Sequence, residues 1–146
     1  MKRRYIFIIL ISCIIACSKD LYDEDRSQIL SYLRGQNIKY LDTLGLYVHI
    51  FEVGDTSKVK DSQTVRLSYI GKYLDGIVFD QTKDTTSIPL KINTSIAGLR
   101  GGLTMFGKNG SGTIYIPSTL GYGDSPPFGV RKNAILVYDV KILDVY

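Results

Sequence analysis

Groups able to do polar chemistry are few, and position disposes of several. The single histidine, His49, lies in an alternating run with no second histidine or cysteine to complete a metal site, so it reads as a strand residue near the surface. Both cysteines, Cys13 and Cys17, sit in or at the edge of an N-terminal apolar run, and neither can staple the remaining chain, which has no cysteine. What remains is mostly aromatic. Tyr69, Phe79 and Tyr138 fall in strand-like segments, where any small β domain would place core residues. Asp80 follows a hairpin turn, where a plain capping or solvated carboxylate is as good a reading as a functional one. Tyr122, between Gly121 and Gly123, is harder to assign to a core, because an aromatic on a flexible loop is rarely needed there. The candidates are thus aromatic groups with few polar ones among them, and no metal site stands out.

The chain has 146 residues, enough for one domain with a real core and too few for a second. Its formal charge of +4 invites a nucleic-acid reading, but Lys2, Arg3 and Arg4 supply three of those charges. Without them the net charge is +1 and no basic stripe remains to follow a phosphate backbone, so nucleic acid is excluded as a partner.

Those three residues look like the basic start of a secretory signal. Tyr5 to Ala16 is almost wholly apolar and too short to span a bilayer comfortably, and polar Ser18-Lys19-Asp20 follows at once. Ile14-Ile15-Ala16-Cys17 resembles the lipobox of bacterial lipoproteins, in which the cysteine thiol takes a diacylglycerol and the new N-terminus is acylated. Several acyl chains anchor a protein stably where one is marginal. Leu10-Ile11-Ser12-Cys13 fits the same pattern, but lipidation at Cys17 is preferred because it ends the apolar run. Residues 1–16 are thus assigned to a lipoprotein signal peptide, and 17–45 to a lipidated N-terminus, a short helix and a linker.

The elements that must position the aromatic groups follow from periodicity. Asp20 to Gly35 reads as a helix, with Ile29, Leu30 and Leu33 as its apolar stripe and Gly35 as its stop. Lys39 to Leu44 reads as linker. Leu46 to Glu52 and Thr64 to Tyr73 alternate as strands, Asp75-Gly76 is a hairpin turn, and Ile77 to Asp80 begins the return strand. Ile88, Leu90 and Ile92 alternate again. Asn93 or Thr94 is a candidate cap for a short helix running to about Met105. Its glycines at 98, 101 and 102 make it poor on propensity, so packing must hold it. A strand from Thr113 to Pro117, a long loop from Leu120 to Lys132 and a last strand from Ala134 to Tyr146 complete the chain.

The order of these pieces is recognisable. Tyr69-Ile70-Gly71, Leu74-Asp75-Gly76 and Val78-Phe79-Asp80 resemble the signature of the FKBP-type peptidyl-prolyl cis-trans isomerases. Ile96-Ala97-Gly98-Leu99, Ile114 to Ser118, Leu120 to Gly123 and Ala134 to Val140 match later family stretches at similar spacing. The resemblance covers roughly residues 46–146, assigned to the isomerase domain, and also takes in bacterial lipoprotein members with a helix before that domain. It implies an α+β fold, an antiparallel sheet curled around one short helix, with the pocket between them. Asp42-Thr43-Leu44 and Asp84-Thr85-Thr86 further resemble the short O-glycosylation motif of Bacteroidetes secreted proteins.

What the resemblance implies for the site is specific. Asp80 stands beside the substrate carbonyl, Tyr122 offers its hydroxyl to bound ligand, and Phe79, Tyr69 and Tyr138 form aromatic walls. Ile96 lines the pocket and donates its backbone N–H, Leu99 forms the floor, and Ile88 or Leu90 supplies a further wall. No metal or cofactor is implied, and the partners are proline-containing unfolded envelope proteins met by a lipid-anchored monomer. Three departures stand out. Leu99 replaces a common tryptophan, Ser95 a valine, and Val130-Arg131-Lys132-Asn133 a proline-rich stretch. They keep open an alternative in which the domain binds clients with little turnover.

Overall fold

The computed structural model describes residues 20–43, 45–83 and 86–146. The signal segment, Cys13, Cys17 and the Asp84-Thr85 pair lie outside them. The elements are a helix α1 over residues 20–35, strands β1 (Leu41–Thr43), β2 (Leu46–Glu52), β3 (Thr64–Lys72), β4 (Val78–Gln81) and β5 (Ile88–Lys91), helix α2 (Ala97–Leu103), and strands β6 (Ser111–Ile116) and β7 (Leu136–Val145). All strand pairs are antiparallel. The sheet runs β1-β2-β6-β7-β3-β4, with β5 on β3 beyond the β4 pairing. This is the expected α+β architecture, a curled sheet with α2 against its concave face.

Period-two alternation sorts the strands into two cores. On the concave face Val48, Leu67, Ile114, Tyr138 and Ile142 close over Leu99 and Leu103 of α2 and over Phe106. On the convex face Tyr47, Tyr115 and Val137 are covered by Ile29 and Leu33 of α1. The helix read as merely preceding the domain is therefore half of a second core. Each fully buried Ile or Leu is worth about 1.5–3 kcal/mol, a large share of a domain's typical net stability of roughly 5–15 kcal/mol.

Three local expectations are corrected. Residues 39–44, read as linker, contain β1, which pairs with β2 in the register Leu41↔Val48 and Thr43↔Leu46. Helix α1 ends through Asn37 rather than Gly35. Asn37 has φ 53°, its N–H donates to the Arg34 carbonyl, and the Ile38 N–H reaches the Leu33 carbonyl at 2.9 Å. That is a left-handed helix stop, which asparagine tolerates. Helix α2 is capped by neither Asn93 nor Thr94, because residues Ile92–Thr94 form a separate 3-10 turn and the helix starts after Ile96. The Thr94 hydroxyl donates to the Lys91 carbonyl instead.

The glycines of α2 find their reason in packing. A Cβ on Gly98 would run into Ile116 Cγ2, and one on Gly102 would lie 2.6 Å from Ile114 Cδ1. The helix rests its backbone directly on β6, which sets how close its first turn comes to the sheet.

Candidate active site

Strand β3 delivers Tyr69 to the concave face, and β7 delivers Tyr138 beside it, their ring centroids 5.9 Å apart. Phe79 meets Tyr138 edge-on at 5.7 Å and 87°. Strict alternation would put Phe79 and Asp80 on opposite faces of β4. The register prevents this: Gly71 pairs with Asp80 and Lys72 with Val78, leaving Phe79 in a β-bulge. Bulges re-aim side chains, and here both residues serve one face. Gly71 completes the fit, since a Cβ there would sit 2.9 Å from Phe79 Cζ and 3.1 Å from Tyr138 Cε1.

Asp80 is exposed at the rim and accepts a 2.6 Å hydrogen bond from the Tyr69 hydroxyl. Burial first, and then that bond, push the Tyr69 phenol well above its ordinary range. The Tyr138 phenol is raised further, chiefly by burial and then by the neighbouring Tyr122. Both hydroxyls therefore stay protonated at neutral pH, as donors.

From the other side, Ile96 and Leu99 at the start of α2 pack against the same core cluster. Leu99 is 8% exposed. Ile96 has φ −56° and ψ 149°, and its N–H has no backbone partner among the described residues. Of the two candidates for a further wall, Leu90 packs against this core and Ile88 is more exposed. Tyr122 reaches the cluster from the loop after β6, half-buried. Six of the seven residues singled out in the sequence thus pack in one concave core cluster, and Asp80 joins them through its bond from Tyr69, which makes this the candidate cleft. His49 lies on the convex side, hydrogen-bonded through Nδ1 to the Lys39 carbonyl and edge-on to Phe51.

Sequence reasoning missed the groups that hold this cleft in shape. Tyr73 stacks with Phe79 at 5.0 Å, and its hydroxyl accepts from the Arg131 backbone N–H at 2.9 Å. The Arg131 guanidinium lies 4.2 Å over the Tyr73 ring and reaches Asp75 at 2.6 Å. That guanidinium, followed by the Ile77 N–H, holds the Asp75 carboxyl below the usual carboxylate range. The basic residue in place of proline therefore pins the loop by stacking and pairing. A groove of about 390 Å³ lies beyond Arg131, between α1 and residues 131–135, and none of the seven cleft residues lines it. Among the described residues no cluster of three metal-ligating side chains occurs.

Comparison with known proteins agrees with this geometry. A family model described as FKBP-type peptidyl-prolyl cis-trans isomerase matches residues 55–143, more than half of the chain. The chain is 37% identical over 103 residues to the FKBP-type peptidyl-prolyl cis-trans isomerase FkpA of Escherichia coli, covering 69% of this chain and 38% of that one. It is 29% identical over 116 residues to a probable FKBP-type isomerase of Haemophilus influenzae, covering 78% and 48%. The crystal structure of FkpA from Escherichia coli superposes with a TM-score of 0.74 at 30% identity, over 87% of this chain and 60% of that one. An isomerase structure from Pseudomonas syringae shares the fold, with a TM-score of 0.71 at 20% identity. The chain belongs to the FKBP-type peptidyl-prolyl cis-trans isomerase family, and it spans less than half the length of these curated relatives.

Proposed function

We propose that the protein is a peptidyl-prolyl cis-trans isomerase that helps envelope proteins fold. The observation that carries this reading is the cleft itself: three aromatic walls, an apolar floor, one anchored carboxylate and a loop phenol. The X-Pro bond is held by resonance behind a barrier of about 18–20 kcal/mol, and unassisted exchange takes tens to hundreds of seconds, roughly. Proline seats on Leu99 between Phe79, Tyr69 and Tyr138. Apolar walls strip water from the amide, and a dry amide loses the hydrogen bonds that favour its planar, charge-separated form. The Tyr122 hydroxyl and the Ile96 N–H hold the flanking carbonyls while the bond turns, and Asp80 stands beside the substrate carbonyl. Interactions that favour the twisted state over either planar one are what lower the barrier.

The test is a protease-free isomerisation assay on the purified protein alongside Tyr122→Phe and Asp80→Ala. Acceleration that falls roughly tenfold or more in each variant is the expected result. No acceleration by folded wild-type protein sinks the enzyme reading. Leu99, where the family commonly has tryptophan, favours one second reading in that event: a client-binding module on the same scaffold.

Location belongs to the proposal too. The lipobox-like Ile14-Ile15-Ala16-Cys17 supports acylation at Cys17 and a lipid-anchored monomer in the cell envelope, acting on proline-containing unfolded chains. Cys17→Ser should release the protein from membranes, and an unlipidated intact mass for the wild type sinks the anchor.

A further inference from the structure

We infer that Asp25, on the far side of the sheet, is a positioning residue that holds the Tyr122 loop through Ser118, an inference that rests on the isomerase reading above. Asp25 is only 3% exposed and lies on α1 four residues before Ile29 and eight before Leu33. That spacing puts a carboxylate on the helix face that is otherwise buried and apolar. A carboxylate is retained in such a place only if its acceptors are satisfied. Among the described residues its side-chain hydrogen bonds both come from one residue: the Ser118 N–H donates to Oδ2 at 2.7 Å and the Ser118 hydroxyl at 2.5 Å.

Ser118 is itself fully buried and opens the 3-10 turn Ser118–Leu120 that leads into the loop. Its carbonyl accepts from the N–H of Gly121 and from the N–H of Gly123, each at 3.0 Å. Those are the two neighbours of Tyr122. One carboxylate thus fixes the donor side of a serine whose acceptor side fixes both flanks of the aromatic residue. The far end of the loop is held separately, by Arg131 on Tyr73 and Asp75. An internal bond from the Asn133 N–H to the Gly123 carbonyl, 2.7 Å, closes the loop. Releasing Asp25 therefore loosens the Ser118 anchor beside Tyr122 and leaves the Asn133 and Arg131 bonds in place. A small misplacement of a group that contacts substrate is enough to slow a reaction strongly.

The experiment compares Asp25→Ala, Asp25→Asn and Ser118→Ala by amide exchange and by kcat/KM, each also in a Tyr122→Phe background. Asp25→Ala should speed exchange at Gly121 and Gly123 and lower kcat/KM roughly tenfold. Ser118→Ala, which keeps the backbone bond, and Asp25→Asn, which keeps an acceptor, should fall between it and wild type. With Tyr122→Phe already present, Asp25→Ala should cost nothing more. Val65→Ala serves as a control that lowers Tm without touching the loop, and it should leave exchange at Gly121 and Gly123 at the wild-type rate relative to global unfolding. Unchanged exchange at the two glycines in Asp25→Ala, or an equal loss of activity with Tyr122→Phe, overturns the inference. If wild type shows no acceleration, the isomerase reading is what fails, and exchange alone then decides whether Asp25 sets the loop.

Discussion

At the scale of single residues, the cleft depends on two positions where size decides the outcome. Gly71 must be glycine, because Phe79 and Tyr138 close to van der Waals distance over it. Leu99, proposed above as the floor, is the opposite case. It is nearly buried, yet smaller than the tryptophan common in the family. Leu99→Trp should raise kcat/KM about tenfold if proline now sits loosely, the scale expected for improved contact in an apolar pocket. An unchanged rate with intact fold would show that neighbouring side chains already close the floor.

At the scale of elements, α2 sets propensity against packing. Alanine in place of glycine inside a helix gains about 1 kcal/mol, so propensity alone predicts that Gly98→Ala or Gly102→Ala is stabilising. Packing predicts the reverse, because the new methyl meets the branched carbons of Ile116 or Ile114, which are fully buried and cannot swing away. Overpacking costs typically 1–3 kcal/mol, and packing should win. We expect each variant to lose roughly 1–2 kcal/mol net in denaturant unfolding, and a gain in stability would show that α2 can lift off β6 at little cost. The bulge at Phe79 works at the same scale, since a regular register would leave Phe79 and Asp80 on opposite faces.

The whole molecule is a sheet with a core on each side, and its phenols record that burial. Tyr69 and Tyr138 on the concave side and Tyr47 and Tyr115 on the convex side all have raised ionisation, Tyr115 up to about 12, with burial the first cause in each. In the unfolded chain these phenols ionise near pH 10, about the reference value. A raised folded value means that the folded state keeps protons the unfolded state has lost. The contribution is therefore fully present below about pH 10 and is lost as pH rises through the folded values. Stability should fall steeply above about pH 10, and the phenolate absorbance of these four should appear only with unfolding. Ionisation of these four phenols with no loss of structure would contradict the burial described here.

Much of this was legible in the sequence, where local periodicity or turn chemistry carries the information. The strands, the Asp75-Gly76 turn, the apolar stripe of α1 and the family signature depend on residues near one another in the chain. The seven cleft residues were legible through that signature, although alternation by itself would have separated Phe79 from Asp80. Other features were decided by contacts between residues far apart. Asp25 is one of three consecutive acidic residues, 23–25, and only its place on the Ile29–Leu33 face hinted at burial. Its partner Ser118 is 93 positions away. Arg131 was visible as a departure from a proline-rich loop, but its stacking on Tyr73 required the hairpin and the loop to meet in space. Short-range pattern determines which segments become strands and helices, whereas hydrogen-bond partners of buried polar groups are settled only when the sheet curls and α1 docks.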